Sequence, residues 1–161
     1  MKLVFSLLFF LQFSVDVELA EIRKMYPKVA VSESSIKKFQ EKLSEVTMES
    51  NKVLVAYKGA STVMYTKYIK NVPEKKVNFK EGVKWIEFAV KNKPENIEIR
   101  MIRLSIQENA PKVAKYNTHI QEDKKFVDEH YKEITGNLKE YIKNFILNSK
   151  SFSDAEKANY K

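Results

Sequence analysis

The chain contains no cysteine, only three glycines and four prolines in 161 residues. Without cysteine there are no disulfides, no thiolate nucleophile, no cysteine-ligated zinc or iron–sulfur site, and no lipid attached to an N-terminal cysteine. Glycine placed for a phosphate-cradling loop, a dinucleotide fingerprint or a nucleophile elbow is also missing. The longest apolar run, Leu3–Phe13, covers 11 residues, well short of the roughly 20 that cross a bilayer. Arginine occurs at Arg23, Arg100 and Arg103 only.

What is present supports a folded core. A hydrophobic share of 43% beside 31% charged residues gives enough apolar surface to exclude wholesale disorder. The length suits one domain. The net charge of +8 comes almost wholly from lysines spread through the chain, with local groups at Lys75-Lys76 and Lys124-Lys125. Nucleic-acid binders more often gather basic residues on one face and use arginine, so no nucleic-acid partner is expected. Peripheral contact with an anionic membrane or envelope surface follows more directly from the charge.

Lys2 followed by the Leu3–Phe13 run has the form of a signal peptide, stopped by Asp16 and Glu18. Ala20 suits the position before a cut, with an earlier cut near Ser14 or Val15 as the alternative; the former makes residues 1–20 a leader and 21–161 a single helical domain. Cleavage would remove Lys2, Asp16 and Glu18 and leave the chain slightly more basic. Export to the periplasm or beyond is the expectation.

Apolar spacing then predicts helices. A first candidate near Leu19–Met25 is interrupted at Tyr26-Pro27. Ser32-Glu33-Ser34-Ser35 offers N-caps for a helix with the face Ile36, Phe39, Leu43 and Val46. Residues 51–70 present Val53, Tyr57, Ala60 and Met64, with Gly59 weakening the pattern unless close packing needs it. Asn78 and Glu81 have capping-box spacing before Phe79, Gly82, Val83, Ile86, Ala89 and Val90. That helix should end before Asn92-Lys93-Pro94.

Residues 97–106 alternate like a strand, with a phase slip at Ile102. Read as a helix they form two adjoining apolar stripes, Ile97, Met101, Leu104 and Ile99, Ile102, Ile106. The helix is preferred, because a lone strand has no partner here. Thr118 with Gln121 has capping-box spacing before Ile120 and Val127. Gly136 marks the turn into the strongest amphipathic pattern, Leu138, Tyr141, Ile142, Phe145 and Ile146. Ser153 and Glu156 could cap a short C-terminal helix, 153–161, with few apolar residues to hold it. The expected fold is all-α: six or seven helices in an antiparallel bundle or tetratricopeptide-like array.

Two resemblances accompany this reading. The segment from Phe79 to Arg100 resembles the second helix of a tetratricopeptide repeat running into the next unit. Gly82 and Ala89 fall at the small positions, Ile86 at the bulky one between them and Pro94 at the turn proline. The likeness covers 20–30 residues, since the flanking helices do not repeat it. Arg100–Gln107, Asn109-Ala110-Pro111, Tyr116-Asn117 and Glu122-Asp123-Lys124 together resemble small exported proteins of Bacteroidetes that lack an assigned function. This implies export and a helical fold and carries no catalytic residues.

Few residues point to chemistry. His119, Glu122 and Asp123 lie at i, i+3 and i+4 and could offer mixed metal ligands, with His130 and Glu133 further along. No paired-histidine motif joins them, and acids at a helix start complement its dipole. Arg100 and Arg103 could pair with Glu122 or Asp123 across a helix interface, or clamp an anionic ligand. Tyr116 and Asn117 read as a loop packed across the bundle end, or as the lining of a pocket. Trp85 reads as a wedge between helices, or as the wall of a recognition groove. No cofactor is expected. The leading expectation is an exported interaction or scaffold module that binds a protein or cell-envelope component. The alternatives are a small-ligand or lipid binder, and a hydrolase or metal-dependent enzyme centred on His119, Glu122 and Asp123.

Overall fold

A computed structural model describes residues 19–161, so the leader apart from Leu19 and Ala20 lies outside the described residues. These contain eight α-helices and no strand. Helix α1 is described over 19–25 and runs into a 3₁₀ turn, Tyr26–Val31. Then follow α2 (Glu33–Lys42), α3 (Lys52–Tyr65), α4 (Val72–Asn92), α5 (Ile97–Gln107), α6 (Ile120–His130), α7 (Gly136–Asn148) and α8 (Asp154–Ala158). The fold is all-α.

Side-chain caps fix several helix starts. Ser32 accepts from the Ser35 N–H, Asn51 from Val53, Asn71 from Glu74 and Asn96 from Ile99. Asn71 displaces the start expected at Asn78. Pro73 sits in the first turn, where a missing N–H costs nothing, so the helix opens at Val72-Pro73. Asn78 lies inside α4 and donates to the Glu74 carbonyl. Likewise α6 starts at Ile120 with His119 as its N-cap residue, in place of Thr118. Gly136 opens α7 at φ +61°, a left-handed conformation that glycine adopts without Cβ strain.

The ambiguous 97–106 segment is helix α5, buried at every position but Ser105. Its two stripes each meet a neighbour, which explains why its pattern mimics a strand. Helix α3 is enclosed in the same way, and Tyr26, Phe39 and Tyr57 join their rings between α2 and α3.

Helices α3 and α4 form a close hairpin. A Cβ built on Gly59 would stand 2.6 Å from the Gly82 carbonyl oxygen, and one on Gly82 2.7 Å from that of Gly59. Both backbones therefore touch, and only glycine fits either position. Trp85 lies half-buried at this crossing, donates to Glu81 (2.9 Å) and carries Lys58 5.0 Å from its ring centre.

The C-terminal segment is tied down on both sides of α8. Phe152 and Tyr160 are buried, Tyr160 donates to Asp128, and its ring meets Tyr131 edge-on. Ser153 and Glu156 form a reciprocal capping box. Bonds from Lys124 and Ser153 pull the Glu156 carboxyl down to about 2. One oxygen of Glu108 accepts from Ser149, Ser151 and the N–H groups of Lys150 and Ser151, holding the chain between α7 and α8.

Candidate functional site

All three arginines are spent inside the bundle. Arg103 forks onto Asp123, Nε to Oδ2 at 2.6 Å and Nη2 to Oδ1 at 2.7 Å, and reaches Glu87 with Nη1 at 3.0 Å. Arg100 holds Glu122 at 2.6 Å and places Nε 3.0 Å from Asp123 Oδ1, though not along a hydrogen-bond direction. Asp123 is wholly buried and Arg103 is 3% exposed. Burial works against the Arg103 charge, but the bonds to Asp123 and Glu87 outweigh it and raise its pKa. Burial pushes the Asp123 carboxyl upward against the pull of both arginines. The paired, ionised form is the one this geometry supports, because the forked bonds need a carboxylate.

The rest of the cluster closes around this pair. Tyr116 donates to Glu87 at 2.5 Å, and its hydroxyl is pushed up by burial and by that bond. His119 meets Glu122 at 2.8 Å and, with Arg100 and Arg103, holds it below the usual carboxylate range against some burial. The His119 N–H donates to Gln107 Oε1, while Gln107 Nε2 is buried without a partner. His130 stacks on Phe126 at 3.9 Å and bonds its carbonyl, while the Arg100 guanidinium lies 4.8 Å from the same ring. Asn117 is exposed and has no side-chain bond to the cluster among the described residues. Arg100, Arg103, Tyr116, His119, Glu122 and Asp123 thus converge, and Trp85 stands apart at the α3–α4 crossing. Among the described residues no group of three or more acids and histidines is placed to hold a metal ion.

The third arginine follows the same logic. Arg23 forks onto Glu98 at 2.8 and 2.6 Å, and Tyr57 donates to Glu98 and meets the Tyr141 hydroxyl at 3.0 Å. Glu87, Glu98 and Gln107 were missed in the sequence reading. Glu98 carried a signal, being an acid flanked by Ile97 and Ile99 in a mainly apolar helix, which must find a cation when buried.

Lysines do something different. A recess of about 290 Å³ is lined by Ala30, Val63, Phe79, Ile106, Pro111 and the stem of Lys75, among others. A second, about 440 Å³, adjoins it through Ala30, Met64 and Asn109 and continues to Met101, Tyr141 and Phe145. Three chain segments meet at the first recess. Lys67 donates to the Ala30 carbonyl at 3.1 Å, and Phe79 meets the Tyr116 ring edge-on at 6.1 Å. Those segments, 26–31, 66–80 and 110–118, hold eight lysines and one acid, Glu74, so they carry +7 of the net +8. Lys75 is half-buried and the other seven are exposed. Among the described residues none of the eight lies within ion-pair distance of a carboxylate. The lysines are evenly spread along the sequence, and unpaired ones occur elsewhere too, but these three segments combine eight of them with a single acid.

No protein-family model matches the chain, and neither do any curated proteins or solved structures.

Proposed function

We propose that this is an exported, non-catalytic helical binding module that engages an anionic component of the cell envelope with its lysine-rich end. The observation that carries the reading is that the three segments meeting at an apolar recess sum to +7, with Lys67 and Lys75 in its lining and none of their lysines within ion-pair distance of an acid. Unpaired cations over low-dielectric walls focus attraction on an anionic partner. The likenesses to a tetratricopeptide segment and to exported Bacteroidetes proteins support a binding role outside the cytoplasm. The histidines and acids that could serve acid–base chemistry support it from the other side, since Glu87, Glu122 and Asp123 are held by arginines.

The test compares two triple variants with the same change in charge. Lys67→Glu/Lys76→Glu/Lys112→Glu alters the proposed face, and Lys91→Glu/Lys93→Glu/Lys132→Glu alters exposed sites elsewhere. Binding to dextran sulfate at 0.1 M salt, a screening length of about 10 Å, should weaken about tenfold or more in the first and about threefold or less in the second. Equal weakening of both would remove the proposed face.

A further inference from the structure

The charge at this end is accompanied by exposed apolar side chains. Among the described residues the exposed large hydrophobics are Val31, Val72, Val77 and Val113, at 77%, 58%, 66% and 87% exposure. Val31 follows Ala30, and Val113 stands two residues beyond Pro111, both of which line the recess. Val72 lies one turn before Lys75 and two before Phe79, on the recess-facing side of α4. Val77 is on the other side of that helix. Three exposed valines therefore lie on the chain segments that line one apolar recess, the same segments that carry the eight unpaired lysines.

We infer that this end docks on a bilayer containing anionic phospholipid, with Val31, Val72 and Val113 at the headgroup–acyl boundary and the lysines among the phosphates. The inference rests on the reading of the lysine-rich end as the binding face, and it names the partner. Three features favour a lipid surface over a soluble polyanion. Exposed apolar groups gain nothing from a polyanion, but they gain from burial at an interface. The cations are lysines, compact point charges suited to a diffuse negative surface, while every arginine, with its shaped fork for carboxylate or phosphate, is used internally. No helix among the described residues is long and apolar enough to cross a membrane, so contact through the described part is peripheral.

The experiment is co-sedimentation of the exported chain, after removal of its leader, with vesicles of phosphatidylcholine alone, or of phosphatidylcholine and phosphatidylglycerol in equal parts. Dextran sulfate and a DNA duplex serve as soluble polyanions. Binding is expected to the mixed vesicles and to be at least tenfold weaker to phosphatidylcholine. The variant Val31→Ser/Val72→Ser/Val113→Ser should bind the mixed vesicles about tenfold more weakly and dextran sulfate as before, with its melting temperature unchanged because all three sites are exposed. The charge reversals in Lys67→Glu/Lys76→Glu/Lys112→Glu should weaken vesicle binding by about 30-fold or more. Binding to dextran sulfate without binding to mixed vesicles would overturn the lipid inference and leave the charged face standing. Tighter binding to DNA than to vesicles, indifferent to the valines, would do the same. Failure to bind either vesicles or dextran sulfate would remove both.

Discussion

Replacing Asp123 with alanine should destabilise the protein by about 3–5 kcal/mol, the range for removing one partner from a buried ion pair. The variant leaves Arg103 with the half-buried Glu87 and the exposed Glu122, 3.5 Å away, and strips Arg100 of its inner neighbour. Both guanidiniums remain largely buried at the α5–α6 interface. The matching change at Glu122 should cost about 1 kcal/mol or less, because its side chain is 51% exposed and solvent screens its pair with Arg100. Urea denaturation of the two variants measures the contrast. Equal losses would mean that Asp123 is not the buried counter-ion this geometry makes it.

Substituting Gly82 with alanine should also destabilise, by about 2 kcal/mol or more, although alanine is the better helix former by about 1 kcal/mol. The new methyl would stand 2.7 Å from the Gly59 carbonyl oxygen and 2.8 Å from the Val63 nitrogen. Both are backbone atoms, so no rotamer change can relieve the overlap, and α3 and α4 must separate. Gly59→Ala meets the Gly82 carbonyl and Trp85 Cβ and should behave alike. Chemical denaturation decides it. A Gly82→Ala protein as stable as the parent would show that the helices are not in backbone contact.

How far these features could be read beforehand depended on whether they are local. Helix faces such as Ile36, Phe39 and Leu43 declare themselves through spacing, and Gly82 and Ala89 announced a close approach. The start of α4 did not, because Pro73 both ends helices and begins them, and only the Asn71 cap decides. The pairing of Arg100 and Arg103 with Glu122 and Asp123 was legible because an apolar helix carrying two arginines must bury them against acids. Tyr116 was among the candidates, but Glu87 joined that cluster unforeseen, since it sits 29 residues from Tyr116 and no local pattern links them. The lysine-rich end was hidden for the same reason. Its three segments are far apart in sequence, and in each the lysines look like ordinary solvated positions. Only the chain path brings them to one recess and leaves their acids elsewhere.

The division of labour between cations ties these observations together. Arginine, with its planar fork, stabilises buried carboxylates across helix interfaces, whereas unpaired lysine supplies the outward field. The central claim is that this field, at residues 26–31, 66–80 and 110–118, forms the binding face. Amide chemical-shift mapping during a dextran sulfate titration tests it most directly. The largest shifts should fall at Lys28, Val31, Lys67, Lys76, Lys112 and Lys115, with α6, α7 and α8 nearly silent. Shifts centred on α6 to α8, or spread evenly over the surface lysines, would contradict the account.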